Sequence, residues 1–142
     1  MQYGLNEEQE MIVSTVRSFV EKDIDPHEDL VERTGEVPEE IAQENKQQTL
    51  TLGFYACNFP ESVGCAGLSH LDFARVEREL GRGSMALNHF FGRPQNILMA
   101  CEGEQIDRDL MPAVRGERMD ALAMTEPGAG SDIRGMKCAA VR

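Results

Sequence analysis

A stripe of apolar residues with its own cap in front of it constrains this chain more than any other feature. Asn6 opens the stripe, Gln9 stands three residues on at the capping-box spacing, and Ile12, Val13, Val16, Phe19 and Val20 then recur at helical period. A helix of this kind persists in water only when the stripe is buried against other elements. The pattern predicts a helix running to about Asp23 and breaking before Pro26, then a polar connection to Gly35. Pro38 at a first-turn position, with Glu39 and Glu40 at the positive end of the helix dipole, starts a second helix. Ile41, Ala42, Leu50 and Leu52 are its inward residues and Gly53 its stop.

The rest of the chain repeats this punctuation. Asn58 to Leu68 reads as loop, broken by Pro60, Gly64 and Gly67, and Ser69 with Asp72 three positions on caps a third helix. Its apolar set is Leu71, Ala74, Val76 and Leu80, and Gly81 and Gly83 end it. A fourth helix, from about Ser84 to Cys101, contains Gly92 and Pro94 and is expected to kink or break near Gly92. A short fifth runs from Glu104 to Met111, ends at Pro112 and is followed by a turn to Gly116. Extended structure enters only after Arg118. The fold class is therefore all-α: a helical bundle, orthogonal to up-down, over residues 1–118 with a short extended tail over 119–142.

Charge and cysteine content narrow the function classes. Fourteen basic against twenty-five acidic residues leave a net charge of −11, which opposes non-specific binding to nucleic acid or to an anionic membrane. Aromatic residues make up 6% of the chain and Trp is absent, so a base-stacking platform is not expected either. Cys57, Cys65, Cys101 and Cys138 form no CxxC pair and have no His at ligand spacing, which reads as four free thiols in a reducing compartment and not as a zinc site. No apolar run approaches the ~20 residues that span a bilayer, and no leader is evident, so a soluble, intracellular protein is expected. His27, His70 and His89 are scattered and read as structural or surface residues.

The densest chemistry lies near the end, in Met124-Thr125-Glu126-Pro127-Gly128-Ala129-Gly130-Ser131-Asp132. Gly128 and Gly130 are able to take φ > 0 and have no Cβ to hold a ligand away, so backbone N–H groups here can face a phosphate, carbonyl or ring nitrogen. Thr125 and Ser131 add hydroxyls on either side. Pro127 makes Glu126 extended, so Met119 to Thr125 is expected to arrive as an extended segment that turns here. The same residues also fit an ordinary Pro-Gly surface turn closed by an Asp cap. They are neither a P-loop, since no Gly-Lys-Ser/Thr follows, nor the dinucleotide fingerprint, which needs a strand before it and a helix after it.

Taken in order, four segments resemble the acyl-CoA dehydrogenases, flavoenzymes that oxidise the α,β bond of an acyl thioester. They are Leu5-Asn6-Glu7-Glu8-Gln9 with Val16-Arg17-Ser18-Phe19; Pro60 to Leu68 leading into Glu77-Arg78-Glu79-Leu80-Gly81-Arg82; Glu104-Gln105 with Leu110-Met111-Pro112 and Gly116-Glu117; and Thr125 to Asp132. The resemblance implies that FAD is lined by Leu122, Ala123, Met124, Thr125, Gly130 and Ser131, with Thr125 hydrogen-bonding the flavin ring and Ser131 also touching the acyl-CoA substrate. It implies that Phe90, Phe91 and Leu98 run near the acyl-chain cavity, although core packing explains them better, and that Glu126 and Asp132 shape the loop while Glu77 and Glu79 are helix-surface charges. A homo-oligomer, dimer or tetramer, is implied for a full-length relative, in the cytoplasm or, in a eukaryote, the mitochondrial matrix.

Two departures from the family pattern stand out. Cys65 replaces the second glycine of the usual Gly-Gly pair. The sequence stops at Arg142, where Lys137 to Arg142 resembles the first strand of the family's β-domain, so the second flavin-binding stretch and the carboxy-terminal helical domain, which carries the catalytic glutamate, lie outside it. No residue of this sequence takes that catalytic role, and no turnover is expected from it alone. The expectation is an amino-terminal portion of a flavoenzyme that associates with the missing domains. A short helical interaction module and a non-functional remnant are the alternatives, and the unpaired strand edge at Ala139 to Arg142 favours the first reading. Exposed apolar surface is expected where the missing domains would dock.

Overall fold

A computed structural model describes residues 4–139. Six α-helices occupy them: α1 (Glu7–Phe19), α2 (Asp25–Thr34), α3 (Glu39–Thr51), α4 (His70–Leu80), α5 (Met85–Asn88) and α6 (Met111–Val114). No strand occurs among the described residues, in accord with the all-α expectation. The expected strand at Lys137 to Arg142 has no regular structure over 137–139, and its last three residues lie outside the described range.

Local signals set the helix starts. Asn6 accepts the Gln9 N–H at 2.8 Å while the Gln9 side chain accepts the Asn6 N–H at 3.1 Å, closing the capping box. The Ser69 hydroxyl accepts the Asp72 N–H at 3.1 Å and opens α4. Gly35 and Gly53 stop α2 and α3 in the left-handed region, with φ of +72° and +75°.

The prolines behave differently from expectation. Neither Pro26 nor Pro112 ends a helix. Each follows one wide π-turn, Val20–Ile24 or Ile106–Leu110, in which the Asp25 N–H reaches back to the Val20 carbonyl and the Met111 N–H to the Ile106 carbonyl. The widened turn moves aside the carbonyl that the pyrrolidine ring would strike, and a new helix resumes with Pro in its first turn, where no N–H is required. The polar connection expected over 24–35 is therefore helix α2. The fourth expected helix does break near Gly92: α5 ends at Asn88 and only a 3₁₀ stretch, Asn96–Ala100, follows.

Two apolar clusters form the core. One gathers Val16, Phe19, Val20, Ile24, Phe54, Val76, Leu80, Leu87 and Phe91, and the other Tyr55, Ala56, Phe59, Phe90, Leu110 and Val114. Phe91 packs on Phe19 and Phe54 with ring centroids 4.9 and 5.7 Å apart. The neighbouring pairs Phe54-Tyr55 and Phe90-Phe91 each divide between the two clusters, so these two short segments tie them together.

Several inward assignments differ from those read at helical spacing. Leu71 (62% exposed) and Leu52 (38%) face outward. On α3 the fully buried residues are Asn45, which donates to the Leu87 carbonyl at 3.1 Å, and Thr49, which donates to that of Lys46 at 2.8 Å. Glu79 is not a surface charge: it is 1% exposed, and its carboxylate receives Arg17 Nε at 2.9 Å and Arg78 Nη2 at 3.1 Å. The Arg17 hydrogen bond, opposed by burial, holds this carboxyl below its ordinary range. It clasps α1 to α4, the pair of helices in most extensive contact.

Candidate functional site

The segment after Arg118 leaves the helical body along Gln95. Asp120 makes the attachment: its backbone carbonyl accepts Arg93 Nη2 at 2.8 Å, its Oδ1 lies 3.3 Å from the same nitrogen, and its Oδ2 accepts the Gln95 N–H at 3.0 Å. Tyr55 is buried beside this pair, and its phenol is pushed up by burial, with Arg93 opposing and Asp120 reinforcing the shift. Among the described residues, the tail expected to be extended is thus fastened to the helical body through Asp120.

Beyond Asp120 the chain folds on itself. Glu126 and Ala129 exchange backbone hydrogen bonds at 3.2 and 3.1 Å across the Pro127-Gly128 turn. The Glu126 carboxylate accepts the N–H groups of Lys137 at 2.9 Å and Cys138 at 2.8 Å, drawing the far limb back. Asp132 accepts the Gly135 N–H through its carbonyl at 2.9 Å, and Ala129, 2% exposed, fills the inside of the loop. Glu126 and Asp132 therefore shape the loop, as read from sequence.

Leu122, Ala123, Met124, Thr125, Gly130 and Ser131 are all exposed. Leu122 is 60% and Met124 41% exposed, and the Thr125 and Ser131 hydroxyls have no hydrogen-bond partner among the described residues. Gly128 and Gly130 do not have positive φ. Their contribution is space: a Cβ built on either meets nothing within 4 Å. Open backbone, two free hydroxyls and exposed apolar side chains are the kinds of group that can line a flavin ring.

Other residues singled out from sequence go elsewhere. Phe90 and Phe91 are each 6% exposed and belong to the core, and Leu98 packs against the second cluster. His89 Nδ1 lies 2.9 Å from the Ala86 carbonyl and its ring rests on Phe90, while His70 is the exposed first residue of α4. All four cysteines are free thiols, Cys57 fully buried with its thiol pushed up to about 11 by burial. No helix among the described residues is long and apolar enough to cross a membrane. The Arg93–Asp120 contact was not legible in sequence, since 27 residues separate its members and neither lies in a motif.

Comparison with known proteins agrees with this architecture. The family described as "Acyl-CoA dehydrogenase, N-terminal domain" matches residues 6–117. The 3-(aryl)acrylate reductase of Clostridium sporogenes is 34% identical over 89% of this chain and 34% of its own length. Benzylmalonyl-CoA dehydrogenase of Aromatoleum aromaticum is 32% identical over 100% of this chain and 38% of its own. The crystal structure of glutaryl-CoA dehydrogenase from Mycobacterium smegmatis superposes with a TM-score of 0.77 at 30% identity, covering 94% of this chain and 35% of that one. The chain thus spans about a third of the length of the relatives it matches. The match over residues 6–117, together with relatives and a solved structure that are similar over nearly the whole chain, shows that this chain belongs to the acyl-CoA dehydrogenase family, whose N-terminal domain those residues form.

Proposed function

We propose that this chain is the amino-terminal portion of an FAD-dependent acyl-CoA dehydrogenase, with residues 1–118 as its helical domain and 119–142 as the start of a flavin-binding middle domain. The carrying observation is the exposed 122–131 segment, in which the Thr125 and Ser131 hydroxyls are unpaired among the described residues, Leu122 and Met124 are exposed, and nothing crowds a Cβ at Gly128 or Gly130. Flavin, when bound, supplies the hydride acceptor for α,β-oxidation of an acyl thioester. In this reading Thr125 hydrogen-bonds the ring edge, Leu122 and Met124 exclude water from its face, and Ser131 contacts both cofactor and acyl-CoA.

The α-proton needs a free base within hydrogen-bond reach. Of the carboxylates of this segment, Asp120 is committed to Arg93 and Gln95 and Glu126 to two backbone N–H groups, and the resemblance gives exposed Asp132 a loop-shaping role and no catalytic one. Residues 1–142 alone are therefore expected to show no turnover with acyl-CoA and an electron acceptor. A homo-oligomer built through domains beyond residue 142 belongs to the same proposal.

The test is a chimera in which 1–142 replaces the matching first third of Mycobacterium smegmatis glutaryl-CoA dehydrogenase, purified beside its parent. Visible flavin absorption that is retained, then shifted and weakened by Thr125→Val and Ser131→Ala, supports the reading. A folded chimera without flavin, or one indifferent to both substitutions, refutes it.

A further inference from the structure

Among the described residues, every hydrogen bond or ion pair joining 119–139 to the body before it is made by Asp120. The nearest other polar tie, Arg118 Nη1 to the Arg108 carbonyl at 3.0 Å, lies one residue before this segment. From Met119 to Thr125 the backbone makes no other hydrogen bond within the described chain, so nothing else of that kind determines its direction. The side chains of Arg93 and Asp120 are 21% and 17% exposed, sheltered enough to limit solvent screening, and two donors from a single turn, the Arg93 guanidinium and the Gln95 N–H, make three contacts with Asp120. That turn follows directly on Phe90 and Phe91, the pair anchored in both core clusters.

We infer that Arg93 and Asp120 form a positioning latch that fixes where the 121–131 segment departs from the helical bundle, and so where Leu122 to Thr125 present themselves to the ligand. For that second half the inference rests on the flavin reading above. Asp120 stands two residues before Leu122 and five before Thr125, so a rotation about this point displaces the whole proposed ligand face, and displacements near 1 Å cost binding and catalytic sites heavily. Neither residue touches the ligand in this reading; both act through the backbone they hold.

The latch is tested on the 142-residue chain by heteronuclear NOE and amide exchange. Asp120→Ala and Arg93→Gln are expected to lower the NOE of residues 121–126, and Asp120→Ala to remove the protection of the Gln95 amide, with the α4 amides unchanged. Arg93→Lys, which keeps a charged donor, is expected to restore part of the NOE. Glu79→Gln serves as the comparison, because it loosens the bundle without touching the latch. Unchanged NOE values in Asp120→Ala, or an equal fall in Glu79→Gln, overturn the latch. In the chimera, Asp120→Ala is expected to weaken flavin retention by roughly tenfold or more, with Arg93→Lys between it and the parent chimera. Flavin held equally tightly by Asp120→Ala overturns the positioning role. A chimera that carries no flavin before any substitution defeats the flavin reading, and with it the cofactor half of this inference, while the NOE result still decides the latch.

Discussion

Substituting Glu79 tests the electrostatic clasp between α1 and α4. The side chain is 2% exposed and receives two guanidinium hydrogen bonds, at 2.9 Å from Arg17 and 3.1 Å from Arg78. Glu79→Gln keeps the volume, loses the charge and turns one acceptor into a donor that faces a cation. Breaking a fully buried ion pair costs about 3–5 kcal/mol, but here the arginine side chains are 42% and 77% exposed and recover hydration when the carboxylate is neutralised. The expected loss is therefore about 2–3 kcal/mol, the range for one to two charge-assisted hydrogen bonds. For a chain of this size that is a fall in Tm of roughly 6–10 °C. Urea unfolding followed by circular dichroism, as a function of pH, is the assay. The native carboxyl titrates below its unfolded value of 4.5, so the unfolded state binds more protons and stability rises with pH. The clasp's contribution is complete above pH 4.5 and is lost as pH falls through the lower native value. Wild type should therefore lose stability in that acid window and Glu79→Gln should lose less, the two curves converging. Parallel curves, or a neutral-pH difference under about 0.5 kcal/mol, would refute the assignment.

Other perturbations probe separate steps. Gly92→Ala combines φ of +64° with a Cβ only 2.6 Å from Phe73 Cζ, and should cost about 2–4 kcal/mol in chemical denaturation; by contrast Gly128→Ala, with open space around it, should leave stability unchanged. Asn6→Ala removes the capping box and should cost about 1 kcal/mol, with amide exchange accelerated selectively in the first turn of α1. At pH 7.5 a thiol reagent should modify exposed Cys138 quickly and Cys57 only on unfolding, because the latter is fully buried and its thiol titrates at about 11; mass spectrometry of the labelled peptides decides it.

Much of the fold was legible because its signals are local. Asn6 with Gln9 and Ser69 with Asp72 cap helices through hydrogen bonds three residues apart, and Gly35 and Gly53 end helices by their own backbone conformation. The loop-shaping role of Glu126 was legible from its motif, through the resemblance and not through periodicity. Proline was misread because the rule that it ends a helix assumes regular α-turns ahead of it, and the π-turns before Pro26 and Pro112 remove that condition. Leu71 was misread because helical spacing defines a stripe without saying which neighbour covers it.

The sequence by itself determined the helical class, the main caps and stops, the family motifs and the composition of the 122–131 loop, all of which depend on interactions within a few residues. Tertiary structure alone decided that Glu79 is buried against Arg17, 62 residues away, that Phe90 and Phe91 enter different clusters, and that Asp120 meets Arg93. Those outcomes depend on how whole elements dock, and a charge or a ring finds its distant partner only after the hydrophobic stripes have chosen theirs.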